Sequence, residues 1–251
     1  MRYFSEMENS RNWSKYTYWT QLKNLRAYFN WCVKSKIREE NPFLQIPKFK
    51  QPHQLPKALS ETELTTLLDS LYKIPYKFCF TKLRDIAIVH MLLFAGLRKS
   101  ELLNLTIDDV DLESGFIRVE HGKGDKRREI PIHESRLKPV LMDYIKYRNK
   151  LNKTSKWFFN GTFANRGKNE NKLTIAVIDR LFKNLSLRTS RKVTAHRLRH
   201  SFATLFLDKV DNIYTLKELM GHTDISTTCI YLSVVRRKKV ESINKLTLGV
   251  I

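Results

Sequence analysis

Cysteine is scarce: three in 251 residues, Cys32, Cys79 and Cys229, far apart and without a CxxC pair. That spacing argues against a disulfide framework or a zinc site and fits a reducing compartment. Long apolar runs are missing as well. The longest, Ile86 to Gly96 (IAIVHMLLFAG), is well short of the roughly 20 residues that span a bilayer and reads as a buried helix. The opening MRYFSEMENSRNW has no apolar signal core, so the chain is expected to be soluble and cytoplasmic, with no membrane partner. No cluster of carboxylates offers itself to a metal, and no internal repeat or low-complexity tract is present. Acidic residues are also in short supply. Asp and Glu number 25 against 46 Lys and Arg, a formal charge of +21. A surface that repels itself this strongly implies a polyanionic partner, nucleic acid first and an anionic membrane surface second.

Proline is unevenly spread: four of seven, Pro42, Pro47, Pro52 and Pro56, fall within 15 residues. This stretch reads as an extended linker and a domain boundary. Before it, Tyr18, Leu22, Leu25, Phe29 and Cys32 recur at helical spacing, predicting an amphipathic helix over 14–37 whose stripe needs a cover, for which a neighbouring protomer is a candidate. After it, Ser60-Glu-Thr-Glu63 is a capping box that opens a run of helices to about residue 105. Residues 115–120 and 126–132 read as two short strands joined by HGKGD, and 157–161 (WFFNG) as a further edge strand. Helices resume from about residue 173 to the end. The predicted fold class is mainly α with a small antiparallel β-sheet. The expected domains are 1–53, a helical segment with linker, and 54–251, the larger domain.

The helix beginning at HRLRHSFATLFLDKV is charged at one end. Leu198, Phe202, Leu205 and Phe206 form an apolar face, while His196, Arg199 and His200 share another in the first turn. A helix N-terminus already attracts anions, and an arginine with two histidines there suits a phosphate. Four further residues stand out. Arg98 follows Gly96 at a helix junction, and Lys123 sits at a hairpin tip between two glycines. His222 follows Gly221, a residue fit for a left-handed C-cap. Tyr231 comes nine residues after His222, on a last helix expected to start near Ser226. Taken singly, each has a plain structural explanation: a surface ion pair between Arg98 and Glu101, a solvated turn lysine, a capping histidine, a half-buried tyrosine.

In this order, FAGLRKSELL, HGKGDKRREIPI, AHRLRHSFATLFL and LMGHTDISTTCIYLSV resemble the tyrosine recombinase (phage integrase) family over roughly residues 55–245, closest to its Xer-type and integron-like members. The resemblance implies a catalytic set of Arg98, Lys123, His196, Arg199, His222 and Tyr231. Tyr231 would be the nucleophile that forms a 3′-phosphotyrosine on double-stranded DNA. Arg98 and Arg199 would neutralise the phosphate, His196 would take the tyrosine proton, and Lys123 would protonate the departing 5′ oxygen. Glu101 would orient Arg98, and His200 would have a packing or backbone hydrogen-bonding role. Cys229 is expected in the core. No cofactor, metal or ATP is implied.

The same resemblance makes residues 1–53 a partial core-binding segment, with only about fifty residues where the family usually carries four or five helices. The chain would then be a minimal recombinase or a shortened one. Ile243, Leu246, Leu248, Val250 and Ile251 could dock a C-terminal tail into a neighbouring protomer of a tetramer on DNA, or fold it back. Integration, excision and dimer resolution share this chemistry, with accessory proteins as possible partners. Two other functions compete, a type IB topoisomerase-like relaxase and a non-catalytic helix-turn-helix-like regulator.

Overall fold

The structure, a computed structural model, describes residues 6, 13–46, 57–120, 127–151, 155–161, 172–232 and 235. The chain separates into two compact units, residues 1–54 and 55–251.

In the first unit, helix α1 (Lys15–Lys34) starts where Ser14 Oγ accepts from the Thr17 amide at 3.1 Å. The predicted stripe is covered in part by the chain's own next residues. Leu22 is buried against Ile46, with Trp13, Tyr18, Leu25 and Phe43 around it. Arg26 holds the returning segment by donating to the Phe43 carbonyl at 2.9 Å and to that of Ile46. Asn41 adds a bond to Asn30 at 2.7 Å. Cys32 is buried and Phe29 stacks near Phe43, while Tyr28 and Trp31 stay exposed.

The second unit opens with α2 (Glu61–Tyr72), and both halves of the Ser60/Glu63 capping box are formed. Helix α3 (Cys79–Phe94) is the buried centre. Ile86, Ala87, Ile88, Val89, Met91 and Leu92 leave it no solvent face, as expected for a helix apolar all round. It packs on α5 (Lys138–Lys150) and α7 (Ala195–Val210). Between lie α4 (Lys99–Asn104) and an antiparallel meander of β1 (Val110–Asp111), β2 (Phe116–Val119) and β3 (Arg128–Pro131). Ile117 pairs with Ile130 and Val119 with Arg128, so alternate residues bury one face. The HGKGD turn, Lys123 included, lies outside the described residues.

WFFNG does not form the expected strand. Thr106 and Trp157 make one isolated bridge and Asn160 and Lys172 another. Phe158 and Phe159 are fully buried beside Tyr144 instead. Buried side chains satisfy this segment's carbonyls. Arg84 donates to Asn160, Tyr144 to Phe158 at 3.0 Å, and Arg148 to Ser155 and Trp157. With the carbonyls of Trp157, Phe158 and Asn160 taken by side chains, the segment's backbone bonds stay isolated bridges and form no continuous ladder.

Helices α6 (Ile175–Arg188), α7, α8 (Ile213–Met220) and the short α9 (Ser226–Cys229) complete the unit. On α7, Leu198 and Leu207 are fully buried, whereas Phe202, Leu205 and Phe206 are partly covered. Phe202 lies over Gly96, which adopts φ +60° just after α3. A Cβ there would stand 2.3 Å from the Phe202 ring. Gly96→Ala should therefore lower stability by about 1–3 kcal/mol or more, since overpacking and left-handed strain act together. Urea unfolding of G96A reads this directly, and an unchanged midpoint would show that Phe202 does not press on the glycine.

Candidate active site

Four elements meet at one open cleft. It is lined by Arg98 and Lys99 at the start of α4, Asp179 and Lys183 on α6, and Thr194, His196, Arg199 and His200 at the N-terminus of α7. His222 after α8 and Tyr231 near the end of the described chain complete it. Thr194 caps α7 by accepting from the Arg197 amide at 3.1 Å, which fixes the first turn and the face carrying His196, Arg199 and His200.

Arginine positions are set by two acceptors. One is Glu101, whose side chain is only 3% exposed. Its carboxylate takes two parallel bonds from Arg128 at 3.0 and 2.8 Å, one from Arg98 Nη1 at 2.7 Å and one from the Arg98 amide at 2.7 Å. Arg199 Nη1 stands 3.7 Å away. Burial pushes the Glu101 carboxyl upward, but the hydrogen bonds and charge of Arg128, with those of Arg98, outweigh it and hold the group at about 2. The other acceptor is the C-terminal end of α8, whose last carbonyls have no partner within the helix. Leu219 accepts from Arg128 at 2.9 Å, Met220 from Arg199 at 2.6 Å, and Gly221 from Arg98 at 3.4 Å. Arg199 also donates to the Gly96 carbonyl.

Gly221 has φ +62°, and a Cβ there would meet Arg128 Nη1 at 2.8 Å, so the predicted C-cap is also the passage for that guanidinium. Three guanidiniums share one carboxylate, which leaves the cluster two positive charges in excess. Arg199 is pushed down to about 10, by burial first and then by Arg98 and Arg128 nearby. Such a cluster is short of an anion.

The histidines respond to the same charge. His222 falls to about 4, through burial and then Arg199, Arg98 and Arg128, so its ring is neutral at neutral pH. Arg199 Nη2 lies 3.4 Å from His222 Nε2. An arginine can only donate, so Nε2 is the acceptor and Nδ1 carries the proton toward Thr228 Oγ1 at 2.9 Å. His200 also falls to about 4, through burial, His196 and Arg199, and His196 is lowered by burial and Arg199.

Tyr231 is 2% exposed and packs with Ala203, Leu207, Leu216 and Met220. Burial raises its hydroxyl pKa against the pull of Arg199 and Arg98. It lies in a turn past α9, which ends at Cys229, rather than on a last helix. Cys229 is exposed, not core, because the short α9 turns that side away.

The structure brings together Arg98, His196, Arg199, His222 and Tyr231, with Glu101 on Arg98 as the sequence implied. Lys123 lies outside the described residues. His200 packs against the His196 and Tyr231 rings and also makes a hydrogen bond to a side chain. Its Nδ1 is 2.8 Å from the Tyr231 hydroxyl, whereas His196 makes no hydrogen bond to that hydroxyl among the described residues. Arg128 was not singled out from sequence. The available signal was strand alternation, which puts it on the same face as buried Ile130 and Ile132. Among the described residues no group of three or more His, Cys, Asp or Glu is placed to hold a metal, and no helix is long and apolar enough to cross a membrane.

A mainly helical domain with a small sheet and an arginine-lined anion cleft facing a buried tyrosine is a phosphoryl-transfer architecture. The phage integrase family model matches residues 57–237. The chain belongs to that family, the tyrosine recombinases, and so is an enzyme that cleaves and rejoins DNA. It is 37% identical over 227 residues to the tyrosine recombinase XerA of Pyrococcus furiosus, covering 90% of this chain and 73% of that protein. The crystal structure of a XerA recombinase superposes with a TM-score of 0.63 at 28% identity, over 96% of this chain and 81% of that one. A XerH site-specific recombinase, bound to its difH substrate before cleavage, superposes with a TM-score of 0.73 at 25% identity, over 92% of this chain and 65% of that one.

Glu101→Gln keeps the shape but leaves three guanidiniums without their shared anion. Breaking a buried pair in this way typically costs about 3–5 kcal/mol, so E101Q should melt well below the parent. The sign with pH is fixed by the lowered carboxyl: its contribution is complete above pH 4.5 and is lost as pH falls toward about 2. The gap between E101Q and parent should therefore close in acid. Equal melting at neutral pH would contradict Glu101 as the organising charge.

Proposed function

We propose that the chain recombines double-stranded DNA at specific sites through a 3′-phosphotyrosine formed by Tyr231. The observation that carries this reading is the convergence of Arg98, Arg199, His222 and Tyr231 on one cleft with two positive charges to spare. A phosphodiester is an anion that repels a nucleophile, and its transition state gathers more charge on the non-bridging oxygens. Arg98 and Arg199, held from behind by Glu101 and by helix-end carbonyls, present their remaining N–H groups to those oxygens. Arg128 is the third member of the cluster but is turned onto Glu101 and Leu219, so its work is to hold the other two in place.

A phosphate in the cleft offsets the guanidinium charges that, after burial, keep His222 neutral. The ring then gains a proton and can donate to an oxygen, as can His196 at the helix N-terminus. Lys123, in the Gly-Lys-Gly stretch before β3, protonates the departing 5′ oxygen. The phosphotyrosine conserves the bond energy, so rejoining needs no ATP.

Each site cuts one strand, and exchanging two duplexes cuts four, so four protomers assemble on DNA, with the apolar C-terminal tail as their link. Residues 1–53 serve as part of the DNA-embracing core-binding segment. The net charge of +21 suits this partner. The work is done in the cytoplasm, where accessory proteins select among integration, excision and resolution. The XerH complex with difH supports DNA as the substrate class.

The test is covalent trapping on DNA nicked near the cleavage point, so that the released fragment diffuses away. After SDS quenching, the parent should show a shifted protein–DNA band and Tyr231→Phe none, with DNA binding retained by both. A band that persists in Y231F would remove Tyr231 from the nucleophile's role.

A further inference from the structure

One contact in the cleft has no part in that scheme. The Tyr231 hydroxyl is buried, and its hydrogen-bond partner is His200 Nδ1 at 2.8 Å. The ring centroids are 5.5 Å apart. His200 is held on the first turns of α7 and backed by the His196 ring, 4.1 Å away. Its position is thus set by a rigid helix rather than a loop. The tyrosine side is equally fixed, by the apolar residues of α7 and α8 that surround the ring. Two groups placed this closely by separate parts of the fold satisfy the distance required for direct proton transfer.

From this geometry we infer that His200 is a catalytic residue, the group that receives the Tyr231 proton as the phenolic oxygen attacks phosphorus. The inference rests on Tyr231 being the nucleophile. The Tyr231 O–H bond breaks and its proton passes to Nδ1. The phenolic oxygen bonds to phosphorus, and the bond from phosphorus to the 5′ oxygen breaks. That oxygen takes its proton from Lys123. Rejoining runs in reverse: the 5′ hydroxyl returns its proton to Lys123, and the His200 imidazolium returns one to the leaving tyrosine oxygen. No electrons change hands and no co-reactant is needed.

The surroundings give the transfer a condition. His200 faces His196 and Arg199 from its own helix and Tyr231 from the C-terminal turn. Asp179 and Lys183 of α6, Lys192, Arg98, Lys99 and His222 line the same cleft. Burial, then His196 and Arg199, keep the ring neutral and weakly basic while the cleft is empty. A bound phosphate offsets the positive charge and makes the ring a stronger base. The proton acceptor is then strongest when the nucleophile's target is in place.

The experiment measures the rate of covalent trapping on nicked DNA over roughly pH 6 to 9, for the parent, Tyr231→Phe, His200→Asn and His200→Ala. Asparagine keeps a hydrogen-bonding group near the Nδ1 position but cannot accept the proton. Both His200 variants should be slower by about 10²- to 10⁴-fold at neutral pH, and their rates should climb with pH as hydroxide ionises the tyrosine directly. The defect should persist on DNA with sulfur in place of the bridging 5′ oxygen, because a thiolate leaves without a proton. Three results would overturn the inference: H200N at the parent's rate, a loss that does not vary with pH in an H200N that melts like the parent, or rescue by the sulfur substrate. A parent that fails to trap overturns the nucleophile assignment itself. A parent that traps beside an unimpaired H200N overturns only the role of His200.

Discussion

A single carboxylate, Glu101, lies between three guanidiniums, and the C-terminal carbonyls of α8 take what bonds it cannot. Like charges at this distance would drive one another apart. What holds them is that each arginine is anchored from behind by an acceptor that is itself fixed. Glu101 stands in the first turn of α4, α8 ends in a left-handed glycine, and Gly96, with Phe202 packed over it, offers its carbonyl to Arg199. The cost of assembling the charges is met during folding, so no reorganisation is left for the moment a phosphate arrives. The sheet takes part through Arg128, which ties the start of β3 to the end of α8.

The excess charge has effects beyond the arginines. With burial, which acts first, it keeps His200 and His222 neutral, and at Tyr231 it draws the hydroxyl toward ionisation against burial. In the empty cleft these opposing influences leave the nucleophile protonated, buried and hydrogen-bonded. An anion entering the cleft offsets the guanidinium charge, which makes the histidines stronger bases while it withdraws part of the pull on the Tyr231 proton. Substrate binding is thus felt at the histidines, whose basicity rises when the anion is in place.

Much of this was legible in the sequence because the signals were local. Gly96 before Arg98, the Ser60 capping box, Gly221 before His222, and the strand alternation around Ile117 and Ile130 each express a backbone requirement within a few residues. What escaped were contacts across distance. Arg128 sits in a run of basic residues, Lys126 to Arg128, that looks solvated, and only its parity with Ile130 marks it as inward-facing. WFFNG reads as a strand by composition, yet its carbonyls are claimed by Arg84, Tyr144 and Arg148 from two other helices. His200 was placed on the correct helix face, but its partner lies 31 residues further on, and no periodicity reports that.

If the arginines exist to neutralise a phosphate, their worth should vanish when the phosphate carries no charge. Cleavage by Arg98→Ala can be compared on ordinary nicked DNA and on DNA in which a methyl group replaces one non-bridging oxygen of the scissile phosphate. R98A should be slower than the parent by about 10²- to 10³-fold on the charged substrate and close to it on the neutral one. An equal deficit on both substrates would mean that Arg98 positions the DNA rather than balancing its charge, and the arginine cluster would need another explanation.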